Sequence, residues 1–199
     1  SQSDVKQQRE TLLEVRNLAS PGKLAPISIE LKAGEVLGIA GLLGSGRSEL
    51  LHCIFGADPA ASGEVLLAGK RVKKSTMAAV AAGLALVPED RFGQGLVRDF
   101  EIWRNATLPA LDKVSFKNFV LNSKSEYQVG LDSIRQLSIK AHSPNVLVSE
   151  LSGGNAQKVT IAKWLFSDVK VFLLDEPTVG IDIGTKTEIL MLVRKLAEA

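Results

Sequence analysis

The sequence has one cysteine in 199 residues, Cys53, so no internal disulfide can form. That residue reads as a small buried or half-buried side chain in a reducing compartment. Histidine is almost as scarce: His52 and His142 have no second metal-type residue at ligand spacing, and both read as structural or solvated. Charge of one sign is not in excess either. Lys+Arg total 24 against Asp+Glu 22, and a net charge of +2 does not make the clustered basic footprint that nucleic acid requires. The one basic cluster, Lys70, Arg71, Lys73 and Lys74, reads as a solvated turn and helix start. Long hydrophobic runs are missing: the longest, residues 78–87, is interrupted by Gly83 and stopped by Pro88, short of the ~18 apolar residues of a membrane-spanning helix. With no charged-then-apolar leader at the N-terminus, any membrane association is expected to come through a partner. What remains is ordinary, 45% hydrophobic and 23% charged, as in a soluble globular domain or a core with one insertion.

The chain is organised around residues 35–55. Val36, Leu37, Gly38, Ile39 and Ala40 form a brief apolar run of the kind a strand buried on both faces shows, and Leu50, Leu51, Ile54 and Phe55 recur at helical spacing. Between them lies GLLGSGRS, residues 41–48. Gly41, Gly44 and Gly46 let backbone N–H groups around Ser45 curl about phosphate oxygens, and a helix opening at Arg47 turns the positive end of its dipole toward the same anion. Ser48 can offer its hydroxyl to a magnesium ion. Arg47 stands where the pattern G-x-x-x-x-G-K-[ST] has lysine; it is also cationic, but planar and bulkier. A plainer alternative, a glycine turn needed only for close strand–helix packing, explains the glycines but neither Ser48 nor the cation beside it.

Residues 1–10 are polar and without period, as in a linker or tail. Alternation predicts strands over 11–18 and 27–31 with a turn at Ser20, Pro21 and Gly22 between them, then a hairpin of 64–68 with Val72 about Gly69 and Lys70. Ser75 is expected to cap a helix through Ala82, ended by Gly83. Residues 84–87 are a second buried strand, and it delivers Pro88, Glu89, Asp90 and Arg91 at its carboxyl end, where ligands sit in open α/β sheets. Glu89 has two readings, a side chain facing the ligand or half of an acid–base pair on an exposed turn. From 93 to 149 the pattern changes to helices and loops: a helix over 101–110 ended near Pro109, and another opened by a capping box of Ser123 and Glu126, with Tyr127, Leu131 and Ile134 on one face.

Ser152, Gly153, Gly154 and Asn155 lead into a helical run over 156–166. Serine suits an N-cap, but two consecutive glycines are unnecessary for one and suit a surface where another molecule approaches the backbone. With the helix dipole behind them they form a second anion-binding surface. Residues 171–174 read as a central parallel strand ending in Asp175 and Glu176. An aspartate there can hold magnesium through water, and the glutamate can orient or deprotonate a water attacking a γ-phosphate; otherwise the strand has simply surfaced. Asp182 follows in a loop before a last helix over 185–197.

In this order GLLGSGRS, LSGGN followed by Gln157 and Lys158, and FLLDEPT resemble the ATP-binding cassette (ABC) ATPases of transporters, over nearly everything after Thr11. Pro88 to Arg91 (PEDR), Ala162 to Leu165 (AKWL) and residues 177–182 are similar to the second cassette of the twin-cassette ATPases that energise bacterial sugar importers. The resemblance implies an α/β P-loop NTPase core with a mostly parallel sheet, an N-terminal antiparallel β subdomain and an inserted helical subdomain. That is one nucleotide-binding domain over 11–199, core 11–93 and 167–199 with the helical part at 94–166, its C-terminal end with the last strand and switch histidine missing. It implies ATP and Mg2+, with nucleotide on Gly41, Gly44, Ser45, Gly46, Arg47, Ser48 and Glu89. In a head-to-tail pair, Ser152, Gly153, Gly154 and Asn155 would complete the partner's site. Magnesium would fall to Ser48, Asp175 and Glu89, and Glu176 would be the catalytic carboxylate. The implied partners are a second cassette upstream on the same polypeptide and transmembrane permease subunits, at the cytoplasmic face of the bacterial inner membrane, with no nucleic acid and no direct membrane insertion. Three departures stand out: Arg47 for lysine, Glu89 where most cassettes carry glutamine, and no aromatic around residues 21–25 to stack adenine. A second reading of the same residues is a regulatory interaction module that binds nucleotide without hydrolysing it. Cassettes of DNA repair carry long coiled-coil insertions, unlike the short one here.

Overall fold

The computed structural model describes residues 9–42, 44–116 and 120–198. Most of the expected linker (1–8), Leu43 of the glycine loop, residues 117–119 of the insertion and Ala199 lie outside the described residues. The chain divides into two compact units, residues 1–82 with 193–199, and residues 83–192.

In the first unit β1 (Thr11–Ser20) pairs antiparallel with β2 (Leu24–Lys32) on one side and β3 (Ser62–Leu67) on the other, and β3 pairs with β4 (Lys70–Arg71). Leu13 and Val15 are buried as alternation requires, but farther along the buried positions are Leu18 and Ser20. The change of parity comes from a bulge at Asn17, which sits at φ 47° and shifts the register between Val15 and Leu18. The hairpin turns at Ala68 and Gly69, one residue earlier than its sequence suggests, because Leu67 pairs with Lys70. Both turn residues have positive φ, 48° and 72°, as a two-residue turn matched to strand twist needs. The helix α1 (Arg47–Ile54) buries Leu50, Leu51, Cys53 and Ile54. Burial pushes the Cys53 thiol pKa up. In α2 (Thr76–Ala82) the Ser75 hydroxyl oxygen accepts from the Ala78 N–H at 3.2 Å, the expected cap.

The apolar run at 36–40 is not a strand. Val36, Leu37 and Ile39 are 54%, 43% and 39% exposed, and among the described residues no strand pairs with the run. A parallel strand is stable only when neighbours take up its N–H and C=O groups, so apolar composition alone does not make one.

The second unit is built on β5 (Leu84–Val87). The chain continues through α3 (Ile102–Thr107), the short pair β6 (Ser115–Phe116) and β7 (Val120–Leu121), α4 (Ser123–Gln136), α5 (Gly153–Leu165), β8 (Val171–Leu174) and α6 (Ile183–Glu198), whose residues up to 192 belong here. β5 and β8 pair in parallel, Leu84 opposite Val171 through Val87 opposite Leu174. α5 is buried on most sides: Ala156, Val159 and Ala162 join Leu96, Ile102 and Val148 in one core. The Trp164 indole N–H donates to the Leu86 carbonyl at 3.0 Å and pins that helix to β5.

Two local expectations change here. α3 stops at Thr107 and a 3-10 turn (Leu108–Val114) follows, with Pro109 removing a donor that a continued α-helix would use. The capping box at Ser123 does not form. Asn122 caps α4, its Oδ1 accepting from the Lys124 and Ser125 N–H groups, while buried Glu126 accepts the Thr107 hydroxyl at 3.1 Å. A tertiary partner has outcompeted the local one.

Lys163, near the end of α5, donates from Nζ to the Gly95 carbonyl at 2.5 Å, and burial pushes its pKa down to about 8. In the unfolded chain it keeps its proton to about 10.4. Between about pH 8 and 10.4 the unfolded state therefore binds more protons, and this residue makes stability rise with pH. A denaturant midpoint measured across that window should climb, and Lys163→Met should flatten the climb; an identical slope in both proteins would contradict the burial of the ammonium.

Candidate functional site

In the first unit the glycine stretch turns tightly into α1. The Ser45 N–H donates to the Leu42 carbonyl at 3.0 Å, Gly44 sits at φ 78°, and Gly46 at φ 90° is the residue from which α1 starts. Gly44 and Gly46 both take a left-handed conformation that another residue would adopt only with strain. Gly46 provides no side-chain cap to α1. Arg47 and Ser48 open the helix and are half-buried.

The remaining predicted residues lie in the second unit. Because Val87 and Leu174 are in register, Glu89 and the Asp175–Glu176 pair leave the sheet from the same edge, and the Asp175 N–H donates to the Val87 carbonyl at 2.9 Å. Asp175 is buried, Glu89 is exposed, and Glu176 is held at φ 43°, a left-handed conformation costly for a glutamate. Strain of this kind persists only where surrounding structure over-determines it, and it concentrates at functional sites.

The second glycine motif opens α5. Ser152 is its N-cap: Oγ accepts from the Asn155 N–H at 3.4 Å and from Asn155 Nδ2 at 2.9 Å. Asn155 Oδ1 in turn accepts from the Lys140 N–H at 2.8 Å. One turn on, the buried Lys158 donates to the Ser138 carbonyl at 3.0 Å and to Glu188 of α6 at 2.7 Å. That hydrogen bond holds the Glu188 carboxyl below the usual carboxylate range. α6 begins at Ile183, two residues before the predicted start, and Asp182 just ahead of it accepts from the Thr185 N–H at 3.0 Å and the Thr185 hydroxyl at 2.7 Å. These bonds depress its pKa as well. The start of α5 is thus moored to residues 138–140 and to the first turns of α6.

The two glycines have different reasons. At Gly154 a Cβ would run into the Thr185 methyl, while at Gly153 it would lie 3.0 Å from the Arg91 guanidinium and 3.2 Å from the Gly180 carbonyl. Gly154→Ala should therefore destabilise the second unit by about 1–3 kcal/mol. Thr185→Ser, which keeps the hydroxyl bond and removes the methyl, should recover part of that loss in a double-mutant cycle of urea unfolding. Additive losses would contradict the contact.

Arg91 is the residue whose role the sequence did not disclose. It was legible only as part of an acid–base turn, yet Nη1 donates to the Val179 carbonyl at 3.0 Å and Nη2 to the Gly180 carbonyl at 3.3 Å. No regular spacing links position 91 with 179–180; only the parallel pairing of β5 and β8 brings them together. Among the described residues no cluster of three or more His, Cys, Asp or Glu side chains could hold a metal ion unaided. No helix of the described residues is long and apolar enough to cross a membrane.

A sequence profile described as ABC transporter matches residues 24–179. The chain is 48% identical over 192 residues to a ribose import ATP-binding protein of Chromobacterium violaceum, covering 96% of this chain and 38% of that protein. It is 42% identical over 190 residues to one of Bacillus cereus, covering 95% and 38%. An arabinose import ATP-binding protein of Mannheimia succiniciproducens is 42% identical over 187 residues, covering 94% and 37%. The chain thus spans little more than a third of the length of these relatives. Among solved structures, a nucleotide-free ATP-binding cassette from an ABC transporter superposes with a TM-score of 0.80 at 22% identity, covering 94% of this chain and 78% of that one. A dimeric ATP-binding cassette bound to ADP and Pi gives 0.77 at 24% identity, covering 94% and 83%. The fold is that of an ABC ATPase cassette, and the chain belongs to the ABC transporter family.

Proposed function

We propose that the chain is one cassette of a twin-cassette ATPase that energises the import of a simple sugar. The observation that carries this reading is the grouping, within the second unit, of Glu89, Asp175 and strained Glu176 at one sheet edge, with Ser152, Gly153 and Gly154 opening a helix against the loop that follows them. The names of its relatives, ribose and arabinose import ATP-binding proteins, support a sugar as the cargo. The functional division follows the same reading, core 11–93 and 167–199 with a helical subdomain at 94–166.

The residues fit MgATP. Gly41, Gly44, Ser45, Gly46, Arg47 and Ser48 would hold the phosphates, with the left-handed backbone at Gly44 and Gly46 supporting that reading. Ser48, Asp175 and Glu89 would serve magnesium, an ion that takes one or two carboxylates together with phosphate oxygens and water, so the lack of an all-protein metal cluster among the described residues is compatible with it. Binding of ATP and its hydrolysis to ADP and phosphate would supply the free energy for transport. Glu176 would orient water, and Ser152, Gly153, Gly154 and Asn155 would present donors to phosphates held by a second cassette upstream on the same polypeptide. Permease subunits would seat the pair at the cytoplasmic face of the inner membrane. A second reading, a cassette that binds nucleotide and regulates its partner without hydrolysis, is favoured by Arg47, whose planar fork replaces a slender lysine.

Uptake of labelled ribose and arabinose in cells deleted for the full-length protein tests the reading. Loss of uptake of one sugar, restored by the intact gene, is the expected result. Undiminished uptake of those and other simple sugars would overturn it.

A further inference from the structure

We infer that Arg91 is a positioning residue for the glycine turn that opens α5. Arg91 follows the end of β5, its guanidinium donates to the Val179 and Gly180 carbonyls beyond β8, and its Nη2 stands 3.0 Å from where a Cβ on Gly153 would be. These three segments all belong to the second unit. Gly180 stands at φ 68°, so its carbonyl is presented by a turn that another residue would adopt only with strain.

The chemistry suits a spacer that is also a clamp. A planar fork can reach two successive carbonyls, whereas a lysine ammonium is a point charge on a flexible stem. Nε of Arg91 is buried with no hydrogen-bond partner among the described residues, so the side chain forgoes one bond in the pose that aims Nη1 and Nη2 at the loop. Asp90 fixes the base of the clamp: its Oδ1 accepts from the Gly93 N–H at 2.9 Å and closes the turn that carries Arg91. Gly153 then rests against a rigid, cationic plane instead of open space, and the backbone that must approach a phosphate is held at one height.

This inference rests on the cassette reading, because a loosened turn matters to hydrolysis only if that turn serves a phosphate. The test uses the full-length protein as wild type, Arg91→Ala and Arg91→Lys, with kcat and KM for MgATP and amide hydrogen exchange of residues 153–154 and 179–182. Arg91→Ala should lower kcat about 10- to 100-fold with KM little changed, since misplacement of a donor by about 1 Å has effects of this size. Exchange over 179–182 should quicken about tenfold, while β5 and β8 keep their protection. Arg91→Lys keeps the charge and the stem and should fall between the two; it also answers the question if Arg91→Ala does not fold. Wild-type kcat in Arg91→Lys would show that charge, and not the fork, is what matters, and would overturn the inference. Unchanged exchange over 179–182 in the variants would do so too. If the wild-type protein does not hydrolyse MgATP, the hydrolytic reading fails in favour of the regulatory one, and the exchange data still decide whether Arg91 tethers the loop.

Discussion

Ser152→Arg in the full-length protein should lower ATP hydrolysis about 10²–10³-fold, the usual effect of losing one preorganised donor to developing charge. The Ser152 oxygen already accepts from Asn155, both main chain and side chain, which leaves its O–H to donate outward beside the first N–H groups of α5. An arginine fills that space and removes the cap. Lost capping alone costs about 1 kcal/mol and would leave a folded protein, so a collapse of turnover with an intact melting transition is the diagnostic pair. Arg47→Ala should be mild by comparison. Arg47 belongs to this cassette's own glycine loop, whereas the Ser152 turn would serve the partner's loop in the proposed head-to-tail pair. If Arg47→Ala abolishes turnover as fully as Ser152→Arg, both sites are catalytic and the asymmetric assignment fails.

Lys158→Ala should destabilise the chain by about 3 kcal/mol in urea unfolding, toward the low end of what removing one partner of a buried pair costs. Lys158 is 4% exposed, and its ammonium on α5 donates to the Ser138 carbonyl and to Glu188 of α6. Truncation strips that carbonyl of its donor and removes a buried stem. Glu188 is 51% exposed, so water takes over its carboxylate and moderates the loss. Lys158→Met, which keeps most of the stem, should recover the packing part and leave the hydrogen-bonding part. A loss below about 1 kcal/mol for Lys158→Ala would mean that the contact behaves as a surface ion pair.

Lys158 also shows how far the sequence could be read. Its place directly after LSGGNAQ was legible, but its burial was not, because charged residues are rarely buried unless paired and the partner lies thirty residues away on another helix. Residues governed by local rules were read correctly: the start of α1 after the glycines, Ser75 capping α2, and strands over 84–87 and 171–174, although β8 has only β5 beside it among the described residues and is not central. Ser152, for which a cap was the plainer of two readings, does cap α5. Where a tertiary contact competes with a local one, the local rule lost. Glu126 left its expected capping box for the Thr107 hydroxyl, and Asn122 took over the cap. The run at 36–40 failed for the converse reason, since composition reports that a segment could be buried and says nothing about whether a strand is there to pair with it. Asn17 changed the inward face of β1 in mid-strand, which no period-two pattern can foresee. Arg91 escaped notice because its importance lies in two carbonyls, and carbonyls have no sequence signature.

The central claim, that this chain supplies half of each composite site, is tested most directly by steady-state hydrolysis of MgATP by purified residues 1–199 over a wide range of protein concentration. The account predicts almost no turnover at low concentration, with any activity rising as the square of concentration when two copies meet. Robust magnesium-dependent turnover at low concentration, strictly proportional to the amount of chain, would contradict it.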